Sequence, residues 1–376
     1  MMMRILSCLL LPVLGLTLIG CPQNSTPSAG DPASGDPASA LSSTDGAAAD
    51  GSDSAPVETA AGAGQSGMMQ APRQIVLIYS GNTHAKLLPT GRADLDNLSG
   101  GLSALTAEIT AVEQEIVQYN RMRVANNGGD ASAVRVDLDN GMIGDHPFLL
   151  LDYGGWYGND LLQRPEATAM MLEAFSTLNY SAVALRDWQL LTPAELEVLR
   201  PMQPRPLLLN SPGEQPPAVD GLSRSLQREL LGSEWLILSL PRLPETDREQ
   251  YDRAMKPLIE ACAQEFELSG AEHCILLAAE QTGQVYRELQ ADRRFDVVIG
   301  APGSMSVGEG FGEMPVDGPL LLPHLSDGGT QLGRCHLIWS TDSDEPVNFF
   351  FERREVDDDG NPDLPWRRRI AELSGH

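Results

Sequence analysis

Four polar side chains of this chain occupy positions from which they could bind a metal ion. Asn82 and His84 follow the apolar run QIVLIY, whereas Asp152 ends the run FLLLD and Asp187 follows SAVAL. Because α/β folds place ligands at the carboxyl ends of their strands, we expect these residues to converge. Their oxygen and imidazole groups could hold one divalent cation weakly. The alternative is that His84 is a hydrogen-bonded residue at a strand end without a ligand role.

Other conspicuous residues lack the spacing of a known site. The glycine-rich segment 303–312 (GSMSVGEGFG) fits neither a phosphate-binding P-loop nor a nucleophile elbow, so we expect a flexible loop. The basic run 367–369 beside Trp366 is typical of a solvated helix face. Four other histidines show no paired spacing and are expected to be structural: His146, His273, His324 and His336.

Composition excludes several classes of function. The chain has 376 residues and a formal net charge of −26, and nucleic-acid binding is excluded because phosphate backbones require clusters of Lys and Arg. A hydrophobic fraction of 42% is enough for a sizeable core. Only one apolar run stands out, at the N-terminus, which excludes a polytopic membrane protein.

The N-terminus has the order of an export and anchoring signal. A short positive start is followed by the apolar stretch 5–18, which is too short to span a bilayer comfortably. The stretch ends in Leu-Ile-Gly-Cys21, which resembles the lipobox of bacterial lipoproteins. The resemblance implies that residues 1–20 are a signal peptide and that Cys21 carries lipid. Pro22, where inner-membrane retention uses Asp, favours the outer membrane, with the protein facing the periplasm or the exterior.

Residues 21–72 are predicted to form a disordered tether, and residues 73–376 a folded domain. Ala, Gly, Ser and Pro dominate the tether, which cannot bury a core. An exported domain permits disulfides. Cys262 and Cys274 are the plausible pair, joining the end of a helix to the start of a strand, and Cys335 would be left over.

The pattern of the domain alternates strands and helices and ends in consecutive strands. It therefore predicts an α/β fold with mixed sheets and helices on the outer faces. Helices are predicted over 102–122, 165–178, 194–199, 247–267 and 285–290. A hairpin of 225–231 and 234–240 is expected about Gly232-Ser233. The other strands are predicted over 74–79, 148–152, 181–185, 206–210, 274–279, 296–299, 319–322, 332–340 and 346–355.

Several blocks, in order, resemble the 5′-nucleotidase branch of calcineurin-like metallophosphoesterases. They are IVLIYSGNTHAKLLP…GGLSAL, FLLLDYGGWYGNDL, EAFSTLNYSAVALRDWQL, CILLAAEQTG, FDVVIGAPGS and GTQLGRCHLIW. The resemblance covers most of residues 74–355 and implies an α/β/β/α sandwich. The family's separate C-terminal nucleotide-binding domain does not fit, because too few residues follow Glu355.

The same resemblance implies that the dinuclear metal site is lost. Of the family's ligand places, His84 alone keeps its residue type, and the bridging Asp place holds Gly155. Without a bridging carboxylate two nearby cations repel each other with little compensation. The remnant of the pocket would be lined by Asn82, His84, Asp152, Asp187 and Gln281. Where the family has an Asn-His pair of ligands, this chain has Asp187 and Trp188. Where the family has its last two His ligands, this chain has Pro302 and Ser304.

Two classes of function follow. The first is an envelope lipoprotein whose degenerate phosphoesterase domain acts by binding or scaffolding, without a cofactor and with an unidentified protein partner. The second is a hydrolase of phosphate or nucleotide esters that uses a rearranged site with one divalent metal such as Mn²⁺ or Zn²⁺.

Overall fold

The computed structural model describes residues 73–83, 87–88, 100–137, 141–144, 146–156, 165–185, 208–209, 222–241, 243, 247–278, 281–325, 329–340, 343–357 and 366–374. All of them lie in one compact unit, Gln70–His376. The strands are β1 (Gln74–Ser80), β2 (Val136–Asp137), β3 (Met142–Ile143), β4 (His146–Asp152), β5 (Ala182–Ala184), β6 (Leu208–Leu209), β7 (Leu222–Ser223), β8 (Ser225–Leu230), β9 (Ser233–Ser239), β10 (His273–Leu277), β11 (Val297–Ala301), β12 (Gly310–Glu313), β13 (Leu320–Pro323), β14 (Gln331–Trp339) and β15 (Pro346–Glu355). The α-helices are α1 (Leu102–Asn126), α2 (Pro165–Thr177), α3 (Arg248–Ser269), α4 (Gly283–Gln290) and α5 (Arg367–Ser374), and a 3₁₀ turn covers Ala131–Ala133.

The strands form one sheet of ten and one of five. The larger sheet has the order β12-β15-β14-β1-β4-β5-β6-β7, with β2 and β3 attached through β4, and the smaller sheet is β13-β11-β10-β9-β8. In the larger sheet β1, β4, β5, β6 and β7 run parallel, whereas β14 is antiparallel to β1. In the smaller sheet only β8 is antiparallel to its neighbour. The predicted α/β fold with mixed sheets is confirmed.

Three buried cores arrange these elements in four layers. The outer core of the larger sheet packs α1, α2 and α5 against residues such as Val76 and Leu150. The middle core lies between the sheets and contains Leu77 and Ile275. The third core packs α3 and α4 on the smaller sheet. The order helix, sheet, sheet, helix is the α/β/β/α sandwich that the family resemblance implied.

Local sequence explains the main helix boundaries. The buried face of α1 includes Leu105, Ile109 and Ile116, which recur at the helical period. Asp247 caps α3 by accepting a 2.7 Å hydrogen bond from the Glu249 amide. The same helix ends at Gly270, whose φ of 73° is the left-handed conformation that glycine adopts without strain.

Two sequence predictions about glycine-rich segments were wrong in detail. The β8–β9 turn is Leu231-Gly232, not Gly232-Ser233, and both residues have positive φ, as a two-residue hairpin requires. The segment 303–312 is not all loop, because residues 310–312 belong to β12. A Cβ on Gly312 would lie 2.4 Å from the Phe349 ring, so glycine allows this strand to approach its neighbour. The predicted helix 194–199 lies outside the described residues.

The expected disulfide is not formed. Cys262 on α3 and Cys274 on β10 are buried free thiols, as is Cys335. Burial raises the pKa of all three thiols, which keeps them protonated. Cys262 and Cys274 both belong to the core under α3, where they pack as small apolar side chains.

Arg73, the first described residue, is hydrogen-bonded to both sheets. The Arg73 carbonyl accepts a 2.9 Å hydrogen bond from the Trp339 amide on β14. Its guanidinium donates a 2.7 Å hydrogen bond to the Leu231 carbonyl in the hairpin of the smaller sheet. Among the described residues, no helix has the length and apolar character needed to cross a bilayer.

Candidate functional site

The carboxyl ends of β1 and β4 lie side by side at the centre of the larger sheet. Ser80 and Asp152 are paired in register at the last position of these parallel strands. Beyond them the two loops stay joined, because the Asn82 amide donates to the Gly154 carbonyl at 2.8 Å. The structure therefore places Asn82 and Asp152 on neighbouring, hydrogen-bonded segments at these strand ends.

Asp152 is completely buried and held by neutral donors. The Ser80 hydroxyl donates to Oδ2 at 2.7 Å, and the Gly154 amide donates to Oδ1 at 2.8 Å. The Tyr180 hydroxyl lies 2.7 Å from Ser80 Oγ, and it must donate there because the serine proton points to the aspartate. Burial, followed by the charge of Asp152, raises the pKa of Tyr180. The phenol therefore stays protonated and can support the carboxylate through Ser80.

Asn82 connects the two sheets. It is fully buried, and its φ of 52° is a left-handed conformation that Asn tolerates better than most residues. Its side-chain amide hydrogen-bonds Nε2 of His324, the residue that follows β13 of the smaller sheet. Since an amide N–H can only donate, Nε2 accepts this bond. The His324 backbone amide is itself fixed by a 2.6 Å bond to the Ala301 carbonyl.

Gln281 is bound within the smaller sheet and its helices. Its Oε1 accepts a 2.8 Å hydrogen bond from the Tyr251 hydroxyl of α3. Its Nε2 donates to the Pro241 carbonyl, which follows β9, at 3.2 Å. The amide is thus satisfied at both ends by groups that come from the smaller sheet and the helix packed on it.

Glu113 is a second carboxyl group, and its surroundings favour the charged form less than those of Asp152. Glu113 on α1 is half-buried, and its Oε1 is buried with no hydrogen-bond partner. Burial raises the pKa of Glu113 from its ordinary 4.5 to about 7. Its charge is also one of the causes that raise the pKa of Tyr180, after burial and the charge of Asp152.

The structure adds residues that sequence analysis missed. Ser80 and Tyr180 extend the predicted pair, and His324 joins it although we expected only a structural role for this histidine. Ser80 could have been found as the last residue of β1, next to Asp152 in a parallel pair. Neither His324 nor Tyr180 carried a local signal. The predicted residues His84 and Asp187 lie outside the described residues, as does Trp188.

The described residues do not fit a dinuclear metal centre. At the bridging place Gly155 has no side chain, and its φ of 72° is a conformation that favours glycine. Pro302 offers no ligand, and Ser304 is exposed. Within the described ranges, no group of three His, Cys, Asp or Glu side chains is arranged to hold a metal ion. Asp152 is the one carboxylate of the predicted pocket that lies among the described residues, and both of its oxygens accept protein hydrogen bonds.

No protein-family model matches the sequence, and no curated protein does so either. Solved structures do match. A candidate 5′-nucleotidase from Staphylococcus aureus has a TM-score of 0.50 at 14% identity, over 80% of this chain and 58% of that chain. Sulfate thiohydrolase SoxB from Thermus thermophilus has a TM-score of 0.50 at 15% identity, over 80% and 60%. The calcineurin-like phosphoesterase YfkN from Bacillus subtilis has a TM-score of 0.48 at 12% identity, over 81% and 97%.

The chain spans about three fifths of the first two structures. At such low identity the likeness shows the fold alone. It agrees with the four layers, the mixed sheets and the order of sequence blocks described above. This chain shares its fold with the solved candidate 5′-nucleotidase from Staphylococcus aureus and with the thiohydrolase SoxB.

Proposed function

We propose that this chain is a lipid-anchored envelope protein whose phosphoesterase-fold domain acts by binding or scaffolding and has lost the dinuclear metal site. The hydrogen bond between Asn82 and His324 carries the proposal. Asn82 stands where the family resemblance has an Asp, and its buried amide is engaged by an imidazole instead of being open to a cation. A neutral amide supplies no charge to offset two metal ions.

The environment of Asp152 supports the same conclusion. Its two oxygens accept hydrogen bonds from Ser80 and Gly154, which a metal would have to displace or share. Hydrolysis in this family depends on metal-activated water. Ser80, whose hydroxyl donates to Asp152, is fully buried and therefore out of reach of a substrate. Binding without turnover is the role that this arrangement favours.

Metal content and turnover of the purified full-length protein test the proposal. After exchange with Mn²⁺ and Zn²⁺, we expect well below one equivalent of retained metal. We also expect hydrolysis of nucleotides and aryl phosphates at the background rate. His273→Ala is a matched control for histidine variants, because His273 lies at the start of β10 and not at the carboxyl ends of the strands.

Two outcomes would change the conclusion. Nearly two equivalents of metal, with activity abolished by His84→Ala but not by His273→Ala, would contradict the loss of the dinuclear site. About one equivalent that disappears with Asp187→Ala would favour the hydrolase with a single metal.

The anchoring part of the proposal rests on Cys21. We expect Cys21→Ala to abolish lipid labelling and to release the protein from membranes, because acyl chains on this residue supply the attachment. Unchanged membrane association of the variant would instead indicate an uncleaved apolar anchor.

A further inference from the structure

The outer face of the larger sheet ends in an aromatic edge formed by Phe311, Phe350 and His336, of which Phe311 is the exposed member. Phe311 on β12 is 60% exposed, and its ring lies 4.8 Å from that of Phe350 on β15. Phe350 in turn meets the edge of His336 on β14, with ring centroids 5.9 Å apart. The opposite face of β12 is covered, since Gly312 packs on Phe349 of the middle core. Phe311 therefore faces away from the core.

The backbone of β12 adds a second property to this surface. In the strand order of the described residues β12 is terminal, and it pairs with β15 alone. A terminal strand directs half of its N–H and C=O groups away from its neighbour. An extended segment could add to this edge at the usual spacing of about 4.8 Å. Its side chains on one face would then lie beside Phe311.

The charges around the aromatic edge select the kind of segment. Glu313 ends β12, and its register partner Asn348 lies on β15, which begins directly after Asp344 and Glu345. All three acids are exposed, and the ion pairs among the described residues engage none of them. Burial and the charge of Arg334 lower the pKa of His336, so this ring stays neutral and adds no positive charge. The chain as a whole carries −26.

We propose that β12 is a docking edge for an extended, basic segment of a protein partner. The segment pairs its backbone with β12, places an apolar side chain against Phe311, and directs Lys or Arg towards Glu313, Asp344 and Glu345. This inference rests on the binding role proposed above and names the class of partner. A second copy of this chain fits less well, because it would bring Glu313 and the same excess of acids to its own edge.

Synthetic peptides test the docking edge on the full-length protein in detergent. The probe is Thr-Lys-Thr-Phe-Thr-Lys-Thr, which as a strand places phenylalanine and both lysines on one face. We expect saturable binding, at least tenfold tighter than for the same peptide with Glu in place of Lys. Proline at the central threonines should abolish it by removing backbone donors. Higher salt should weaken it, since the acids are exposed.

Variants distinguish peptide binding at the edge of β12 from non-specific binding. Phe311→Ser should weaken binding at least tenfold and Glu313→Lys several-fold, with unchanged thermal unfolding because both side chains are exposed. Val316→Ser is the matched control, since Val316 is 92% exposed but lies outside the strand. The proposal would be overturned if Phe311→Ser bound the probe as tightly as the parent protein does. It would also be overturned if the acidic peptide bound as tightly as the basic probe, or if binding did not saturate.

Self-association is measured in parallel by sedimentation. A dimer that dissociates with Phe311→Ser would identify a second copy as the occupant and would overturn the choice of a basic partner. None of these results touches the metal content or the turnover measured above, so the failure of one proposal is distinguishable from the failure of the other.

Discussion

The carboxyl ends of the two sheets keep polar groups of different kinds. At the larger sheet Asp152 is a buried carboxylate that accepts hydrogen bonds from Ser80 and Gly154. At the smaller sheet Gln281 is a neutral amide, satisfied by Tyr251 and Pro241. Both ends occupy the side of an α/β sandwich where ligands bind. Because Asp152 is a carboxylate and Gln281 a neutral amide, removal of the Asp152 side chain should lower the free energy of unfolding far more than removal of the Gln281 side chain.

The largest expected effect is the difference between Asp152→Ala and Gln281→Ala. Asp152→Ala leaves a buried hydroxyl and a buried amide without their charged acceptor, and should lower the free energy of unfolding by about 4 kcal/mol. Gln281→Ala removes two neutral hydrogen bonds and should cost about 2 kcal/mol. Urea unfolding at neutral pH measures both values. Equal losses would show that the charge at the larger sheet has no special role.

A second test uses pH to examine the other carboxyl near Tyr180. The folded protein binds the Glu113 proton more tightly than the unfolded chain, because the pKa of Glu113 rises from 4.5 to about 7 on folding. Stability should therefore fall as pH rises from about 4.5 to about 7. Glu113→Gln should stabilise the protein by about 2 kcal/mol at pH 8, less than the full shift implies because part of the side chain meets solvent.

The comparison between pH 5 and pH 8 is the control. Near pH 5 the Glu113 carboxyl is already mostly protonated in the folded state, so the variant and the parent should differ little. A constant difference at both pH values would rule out titration of Glu113 as the cause.

A third test separates the backbone of Asn82 from its hydrogen bond. Asn82→Gly keeps the left-handed conformation and loses the side-chain hydrogen bond to His324, at a cost of about 1 kcal/mol. Asn82→Ala should cost about 1 kcal/mol more, because a Cβ residue without a local hydrogen bond is strained there. Thermal unfolding of the pair gives the difference. Identical values would mean that the loop relaxes out of this conformation.

The smallest expected effect comes from outside both strand ends. Arg369 on α5 makes hydrogen bonds of 2.7 and 2.8 Å to the two oxygens of Glu173 and lies over the Trp366 ring. Because the pair is largely solvent-exposed, Arg369→Ala should lower the free energy of unfolding by about 0.5 kcal/mol, and less in high salt. Arg368→Ala, which loses an exposed i,i+4 contact alone, should be neutral.

Residues with a strong local signal were predicted correctly. The apolar run of β1 lies between two strands and is buried on both faces, and α1 repeats its apolar residues at the helical period, so both elements follow from sequence. Asp152 was found because a carboxylate directly ends a buried strand. The basic run 367–369 lies on α5, as expected for a helix face.

Contacts between distant elements were not predictable. His324 and Asn82 are 242 positions apart and come from different sheets, so no spacing connects them. β12 was missed because two of its four residues are glycine, which is normally depleted in strands. Here glycine is required by the closeness of Phe349, a tertiary fact. The hairpin turn was displaced by one residue, because Leu231 takes a positive φ that its residue type does not suggest.

The hydrogen bonds of Arg73 to both sheets also determine how the domain would resist tension. A pull on the preceding segment is delivered at this residue and runs along β1, which lies between β14 and β4 in the middle of the larger sheet. Such a load strains the hydrogen bonds to both neighbours together, in shear, instead of opening them one after another as at a sheet edge. The guanidinium contact to Leu231 passes part of that load to the smaller sheet. The point of attachment is thus a strand that is hydrogen-bonded to a neighbour on each side.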